Sequence, residues 1–153
     1  MSSSGTDSVE FHFGPNPGEG CKPLREIASA GEISRVMLAI KTILAEVDEI
    51  PVLVFDEIDV NIGGVVAAKV GCELEGLGKK HQVLCITHLP QVAAKGNRHF
   101  YIDKSISNGR TKAIVTPLSG QNRVQEIARM LGGKGSTSVI LKHASELIGN
   151  SQN

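Results

Sequence analysis

Asp56 and Glu57 stand side by side at the end of a short apolar run, Val52-Leu53-Val54-Phe55, that opens after Pro51. Adjacent carboxylates at such a place can divide the work of phosphate cleavage. Asp56 can hold Mg²⁺ directly or through water, and Glu57 can orient or deprotonate a water. Strand alternation sends Glu57 to the side opposite Asp56. A second apolar run, residues 82–87, ends in Thr87-His88. A histidine at that position can contact a phosphate and help to place a water. Each feature also has a plainer reading. The acids fit a strand that simply ends in a polar turn, and a lone histidine is more often structural or exposed. His12, His81, His99 and His143 have no comparable placement.

Two further stretches belong to the same constellation. Ser29-Ala30-Gly31-Glu32 has the S-x-x-E form of a capping box at a helix start. Small residues there leave backbone N–H groups open, and with the helix dipole they favour an anion such as a phosphate. Asp59-Val60-Asn61-Ile62-Gly63-Gly64 is polar and turn-forming, as a strand-to-helix loop must be.

The elements that must hold these residues follow from hydrophobic periodicity. Ile33, Val36, Met37, Ile40, Ile43, Leu44 and Val47 recur at helical spacing and define one apolar face. The run at 52–55 is short, β-branched and unbroken, which predicts a strand buried on both faces, with the acids at the end where open α/β sheets place ligands. Gly63-Gly64 opens a helix with Val65, Val66, Val70, Leu74 and Leu77 on one face, closing near Gly78. Residues 82–87 read as a second buried strand, and 90–95 as one helical turn. Strands at 99–104 and 112–118 flank an Asn108-Gly109 turn. Helices at about 124–131 and 137–148 complete the chain, separated by Gly132-Gly133. Residues 9–13 suggest a short strand, 14–20 a loop, and 23–28 is ambiguous. Residues 1–8 read as a disordered polar tail ahead of a single α/β unit spanning 9–150.

Composition narrows the function classes. The chain has 153 residues, enough for one core, with 41% hydrophobic and 21% charged residues. Lys+Arg and Asp+Glu are both 16, so no global basic footprint for nucleic acid exists. Aromatics are 3% of residues, too few for rows of base-stacking platforms. Arg98, Lys104, Arg110 and Lys112 read as the solvated face of a hairpin. Cys21, Cys72 and Cys85 are odd in number and widely spaced, which fits reduced core thiols better than a disulfide framework or zinc site. No run has the length of a membrane span.

Taken together, the motifs resemble those of ABC-type ATPases. Ser29-Ala30-Gly31-Glu32-Ile33-Ser34-Arg35 resembles their signature motif, residues 52–57 their Walker B strand, residues 59–64 their D-loop, and His88 their switch histidine. Within that superfamily the chain is most similar to the C-terminal part of the SMC-like RecN family of bacterial DNA repair ATPases. Residues 15–19, 27–35, 55–60, 86–93 and 126–133 carry that similarity, which extends over about 9–149. The resemblance implies the C-terminal lobe of a P-loop ATPase head, a mostly parallel sheet flanked by helices with a C-terminal hairpin. It implies ATP and Mg²⁺ as ligands of the complete head. Glu57 and His88 would then be catalytic, with Asp56 on the metal. Ser29, Ala30, Gly31 and Glu32 would meet the nucleotide of an opposing head, with Asp59 and Asn61 communicating across the dimer. The implied partners are an N-terminal lobe of the same head, a second head, and DNA through the full protein. The implied location is the bacterial cytoplasm, at the nucleoid and not in a membrane.

The sequence departs from that pattern in three places. Ala30 stands where signature motifs usually carry Gly, and Gly63 where many D-loops carry Asp. No G-x-x-x-x-G-K-[ST] is present, so nothing in the chain cradles β- and γ-phosphates. The chain alone is therefore expected not to hydrolyse ATP. Two other readings compete: a non-catalytic assembly or DNA-binding module that kept the fold, and the head of another SMC-like protein.

Overall fold

Asp56 and His88 follow two strands that lie side by side. In the computed structural model, which describes residues 5–14, 18, 20–27, 29–107, 110–133, 135 and 137–149, β3 (Val52–Phe55) and β4 (Gln82–Cys85) pair in parallel. Their register runs from Val52↔Gln82 to Phe55↔Cys85. Helix α3 (Gly64–Leu77) makes the crossover and buries Ala67, Val70, Leu74 and Leu77 against Leu53 and Phe55. Gly71 lets the short helix α4 (Pro90–Ala93) come close, since a Cβ there would lie 3.0 Å from the Gln91 carbonyl oxygen.

The expectation of a strand buried on both faces is not met. Phe55 is 3% exposed, but Val54 on the other side of β3 is 64% exposed, and Val52, Leu84 and Ile86 are exposed with it. The physical reason is that α3 covers one face of the pair, and no further strand or helix among the described residues covers the other.

Helix α2 (Ala30–Leu44) begins at the capping box the sequence announced. Ser29 Oγ accepts from the Glu32 amide at 3.3 Å, and Glu32 Oε2 accepts from the Ser29 amide at 2.8 Å. Its burial differs from expectation. Gly31 and Leu38 are buried, whereas Ile33, Met37, Ile43 and Leu44 of the predicted apolar face are exposed, as is Val47 beyond the helix end. The side of α2 that packs on the core is thus set by Gly31, Arg35 and Leu38, one helical turn apart each. The connection to β3 is stapled by a Lys41–Asp48 ion pair and by His81, whose Nδ1 lies 2.7 Å from the Ile50 carbonyl oxygen.

The remaining elements frame this unit. Near the N-terminus, β1 (His12–Phe13) pairs antiparallel with β2 (Lys22–Pro23), followed by the single-turn α1 (Leu24–Ile27). Of the expected tail and loop, residues 1–4, 15–17 and 19 lie outside the described residues. After α4 comes an antiparallel ribbon, β5 (His99–Ser107) and β6 (Arg110–Leu118), in register His99↔Leu118 to Ser107↔Arg110. The Asn108-Gly109 turn itself lies outside the described residues. One ribbon face, with Phe100, Ile102, Ile106 and Val115, is exposed. Helices α5 (Gly120–Gly132) and α6 (Ser138–Gly149) form a second core of Ile127, Ala128 and Ala144 with Ala94. Arg123 ties that unit to the end of α4 by donating to the Ala94 and Gly96 carbonyls at 2.8 and 2.6 Å. The described residues thus hold three two-stranded sheets and not one mostly parallel sheet: β3 and β4 pair in parallel across α3, while β1–β2 and β5–β6 are separate antiparallel pairs.

The one-sided packing of β3 gives a direct test. Phe55→Ala should cost about 3–5 kcal/mol, whereas Val54→Ala should cost less than about 1 kcal/mol, as read from urea unfolding midpoints.

Candidate functional site: an acidic turn tied to a histidine loop

β3 ends at Phe55, and the chain turns at once. The Glu57 amide donates to Asp56 Oδ1 at 2.9 Å, and the Val60 amide donates to the Glu57 carbonyl at 3.2 Å. Glu57 has φ 57° and Asn61 φ 59°, a left-handed conformation in which L-residues are strained. Strand alternation therefore does not set the direction of Glu57, correcting the expectation that it lies opposite Asp56 across a strand. Both acidic side chains are exposed at the strand end, while Ile58 beneath them is fully buried.

Three donated hydrogen bonds from α2 hold the turn. Ser34 Oγ donates to the Asp56 carbonyl at 2.8 Å, and Arg35 Nη1 donates to the Ile58 and Val60 carbonyls at 3.1 Å each. Gly31 makes the approach possible. A Cβ there would sit 2.9 Å from the Glu57 carbonyl oxygen and 3.0 Å from Arg35 Nη1, so any side chain would push the helix start off the turn. Neither Ser34 nor Arg35 was assigned a role from sequence. The available signal was the spacing Gly31, Arg35, Leu38, which marks the packed side of α2.

Asp59 joins the turn to the histidine. Its side chain is 2% exposed, and its Oδ2 accepts from the Thr87 hydroxyl, from the His88 amide at 2.9 Å and from the Leu89 amide at 3.1 Å. His88 Nδ1 lies 3.3 Å from the same oxygen, while the His88 side chain is 68% exposed. Burial pushes the Asp59 carboxyl upward, but the bonds from Thr87 and His88 and the histidine's charge outweigh it and hold Asp59 below the ordinary aspartate value. The structure thus places Asp56 and Glu57 at the end of β3 and His88 beyond the neighbouring end of β4, with the histidine's backbone anchored and its side chain exposed. It turns the Asp59 side chain inward onto its own chain. Asn61 remains exposed.

At the start of α2, Ser29, Ala30 and Glu32 are exposed or half-exposed and Gly31 is buried. Hydrogen bonds from Ser29 hold the Glu32 carboxyl below its usual range, so this helix start already carries an anionic group. An incoming phosphate would share or displace it. Cys85 packs beside the site, where burial, reinforced by Asp59 and Asp56, pushes its thiol up to about 12. It stays protonated near neutral pH and is a packing group. Cys21 and Cys72 are exposed, so the core-thiol expectation holds for Cys85 alone. Among the described residues no cluster of three His, Cys, Asp or Glu side chains forms a metal cage. Nor is any helix long and apolar enough to cross a membrane.

Removing the Asp59 carboxylate leaves three donors near one buried point. Asp59→Ala should destabilise the chain by about 2–4 kcal/mol in urea unfolding. Because the folded-state value of Asp59 is depressed, its stabilisation is present above the unfolded-state value and fades as pH falls through the folded one. The stability gap between wild type and Asp59→Asn should therefore narrow on acidification below the ordinary aspartate range, as followed by urea midpoints at stepped pH.

No family model matches the chain. It is 51% identical over 130 residues to the DNA repair protein RecN of Xylella fastidiosa (strain 9a5c), an alignment covering 85% of this chain and 23% of that protein. It is 48% identical over 144 residues to RecN of Treponema pallidum, covering 94% and 25%, and 44% identical over 148 residues to RecN of Bacillus subtilis, covering 97% and 26%. The chain thus spans about a quarter of the length of these relatives. Among solved structures, a chain from work on ATP-driven dimerization and DNA-stimulated activation of SMC ATPases superposes with TM-score 0.53 and 20% identity, covering 88% of this chain and 80% of that one. That likeness fixes the fold as the α/β type of an SMC ATPase. The sequence identities show what the chain is similar to: over nearly its whole length it matches the C-terminal region of the RecN DNA repair proteins.

Proposed function

We propose that this chain supplies the C-terminal half of an ATP-hydrolysing head in an SMC-like protein of DNA double-strand break repair and recombination. The observation that carries the reading is the joint placement of Asp56, Glu57 and His88 at adjacent strand ends, locked by Asp59. Glu57 orients and deprotonates the attacking water. His88 contacts the γ-phosphate. Asp56 suits Mg²⁺, which takes one or two carboxylates and completes its shell with phosphate and water, so a lone exposed aspartate is a fitting donor. Mg²⁺, when bound, neutralises charge developing on the phosphates.

The α2 start at Ser29, Ala30, Gly31 and Glu32 faces the nucleotide of a second head, and Asn61 contacts that head. Asp59 takes a different role from the one its motif position suggests: it anchors the His88 loop within its own chain. The missing phosphate cradle comes from an N-terminal lobe, which also covers the bare outer row of β3 and β4. Exposed Val52, Val54, Leu84 and Ile86 support that contact, since a contiguous apolar row of this kind marks an interface. The role in DNA repair rests on the names of the relatives, and DNA is reached through the complete protein.

The decisive experiment is ATP hydrolysis by the chain alone and after mixing with an N-terminal lobe that carries a G-x-x-x-x-G-K-[ST] loop. Silence alone and turnover on mixing are expected. Glu57→Gln should lower the reconstituted kcat by about 10²–10⁴. Turnover by the chain alone, or a reconstituted rate indifferent to Glu57→Gln, overturns the reading. Silence in both preparations favours a non-catalytic assembly module.

A further inference from the structure

Arg35 is half-buried on α2, one helical turn beyond Gly31, and among the described residues it forms no ion pair, although its charge helps to lower the Glu32 carboxyl. Its Nη1 instead donates to two carbonyls of the acidic turn, Ile58 and Val60, each at 3.1 Å. These flank Asp59 and lie just downstream of Glu57, whose φ of 57° needs external support. A charged donor shared between carbonyls two residues apart fixes their separation, and charge-assisted bonds of this kind are the stronger class. The turn cannot relax at Ile58–Val60 without losing them. Ser34 Oγ adds a bond to the Asp56 carbonyl at 2.8 Å, and Gly31 permits the close approach. One face of one helix therefore grips the backbone on both sides of Glu57.

We propose that Arg35 is a positioning residue for Glu57: it fixes the backbone of the acidic turn so that the Glu57 carboxylate is held where a water can be activated. This rests on the ATPase reading above. Arg35 itself touches neither the water nor the phosphate and acts through the turn. Because the same helix begins at Ser29, any displacement of its start is also transmitted to Glu57 through this grip. Lysine reproduces it only in part: both bonds leave one nitrogen, Nη1, which the rigid guanidinium plane holds in place, whereas an ammonium sits on a more flexible stem.

The test uses the complete two-lobed head. Steady-state ATP hydrolysis, affinity for a non-hydrolysable ATP analogue and melting temperature are compared for wild type, Arg35→Gln, Arg35→Lys and Glu57→Gln. Arg35→Gln should lower kcat by about tenfold to a hundredfold while analogue affinity stays within about threefold, the signature of a misplaced catalytic group. Arg35→Lys should fall between Arg35→Gln and wild type. Wild-type kcat in Arg35→Gln overturns the inference. So does a kcat that falls only in step with affinity and melting temperature, which marks a purely structural tie. If Arg35→Gln does not fold, Arg35→Lys decides: a lowered kcat at unchanged affinity supports positioning, and an unchanged kcat overturns it. A wild-type head with no turnover, or turnover indifferent to Glu57→Gln, removes the ATPase reading and the inference with it.

Discussion

A single buried carboxylate joins the ends of the two paired strands β3 and β4. Asp59 accepts from Thr87, His88 and Leu89 at one oxygen. A buried charge is tolerable only when its acceptor capacity is filled, and here the filling groups are the backbone and hydroxyl of the loop that presents His88. The interaction is reciprocal. The loop after β4 has few other reasons to adopt its path, and Asp59 has no solvent with which to share its charge. The same charge helps to keep the neighbouring Cys85 thiol protonated. An arrangement of this kind converts the relative position of two strands, set by the β3–β4 register, into the relative position of an acid and a histidine.

The acidic turn is the strained partner in this arrangement. Glu57 and Asn61 both occupy a left-handed backbone region that glycine would adopt without cost, yet neither is glycine. Such conformations persist where the surroundings over-determine them. On one side Asp59 hangs from the His88 loop; on the other α2 contributes Ser34, Arg35 and the bare backbone of Gly31. The turn is thus held through its backbone from both sides. A fixed backbone is what the proposed water-activating role of Glu57 needs, because catalysis of phosphate cleavage rests on positioning and electrostatics.

Stability and surface follow a common division. The α3 side of β3–β4 and the α5–α6 pair each bury a compact set of aliphatic side chains. The outer row of β3–β4, the Ile33–Met37–Leu44 side of α2 and the Phe100–Ile102–Ile106 face of the ribbon stay exposed. Three apolar faces on one small unit exceed what solitary domains normally show to water. They agree with a chain that spans about a quarter of its relatives' length.

Much of this was legible locally. The capping box at Ser29 and Glu32, the helix at 64–77, the single turn at 90–93 and the strands β5 and β6 follow from short-range rules of capping and periodicity. The residue types at Asp56, Glu57 and His88 are read directly from the sequence, and the proposed phosphate chemistry rests on them. Periodicity could not say which apolar face meets a partner, because it records hydrophobicity and not occupancy. Hence the stripe on α2 and both faces of β3 read as buried, while packing selected Gly31 and Leu38 on the helix and Leu53 and Phe55 on the strand. Nor could sequence show that Asp59 turns inward, or that Arg35 grips carbonyls 23 and 25 positions away. Those are long-range hydrogen bonds to backbone atoms, which every residue carries alike. The sequence by itself determined the chemical groups and the local elements that bear them. Only the tertiary structure decided which groups are turned outward and which hold the turn, because that depends on how closely α2 and the β4 loop approach a turn whose strained backbone they jointly maintain.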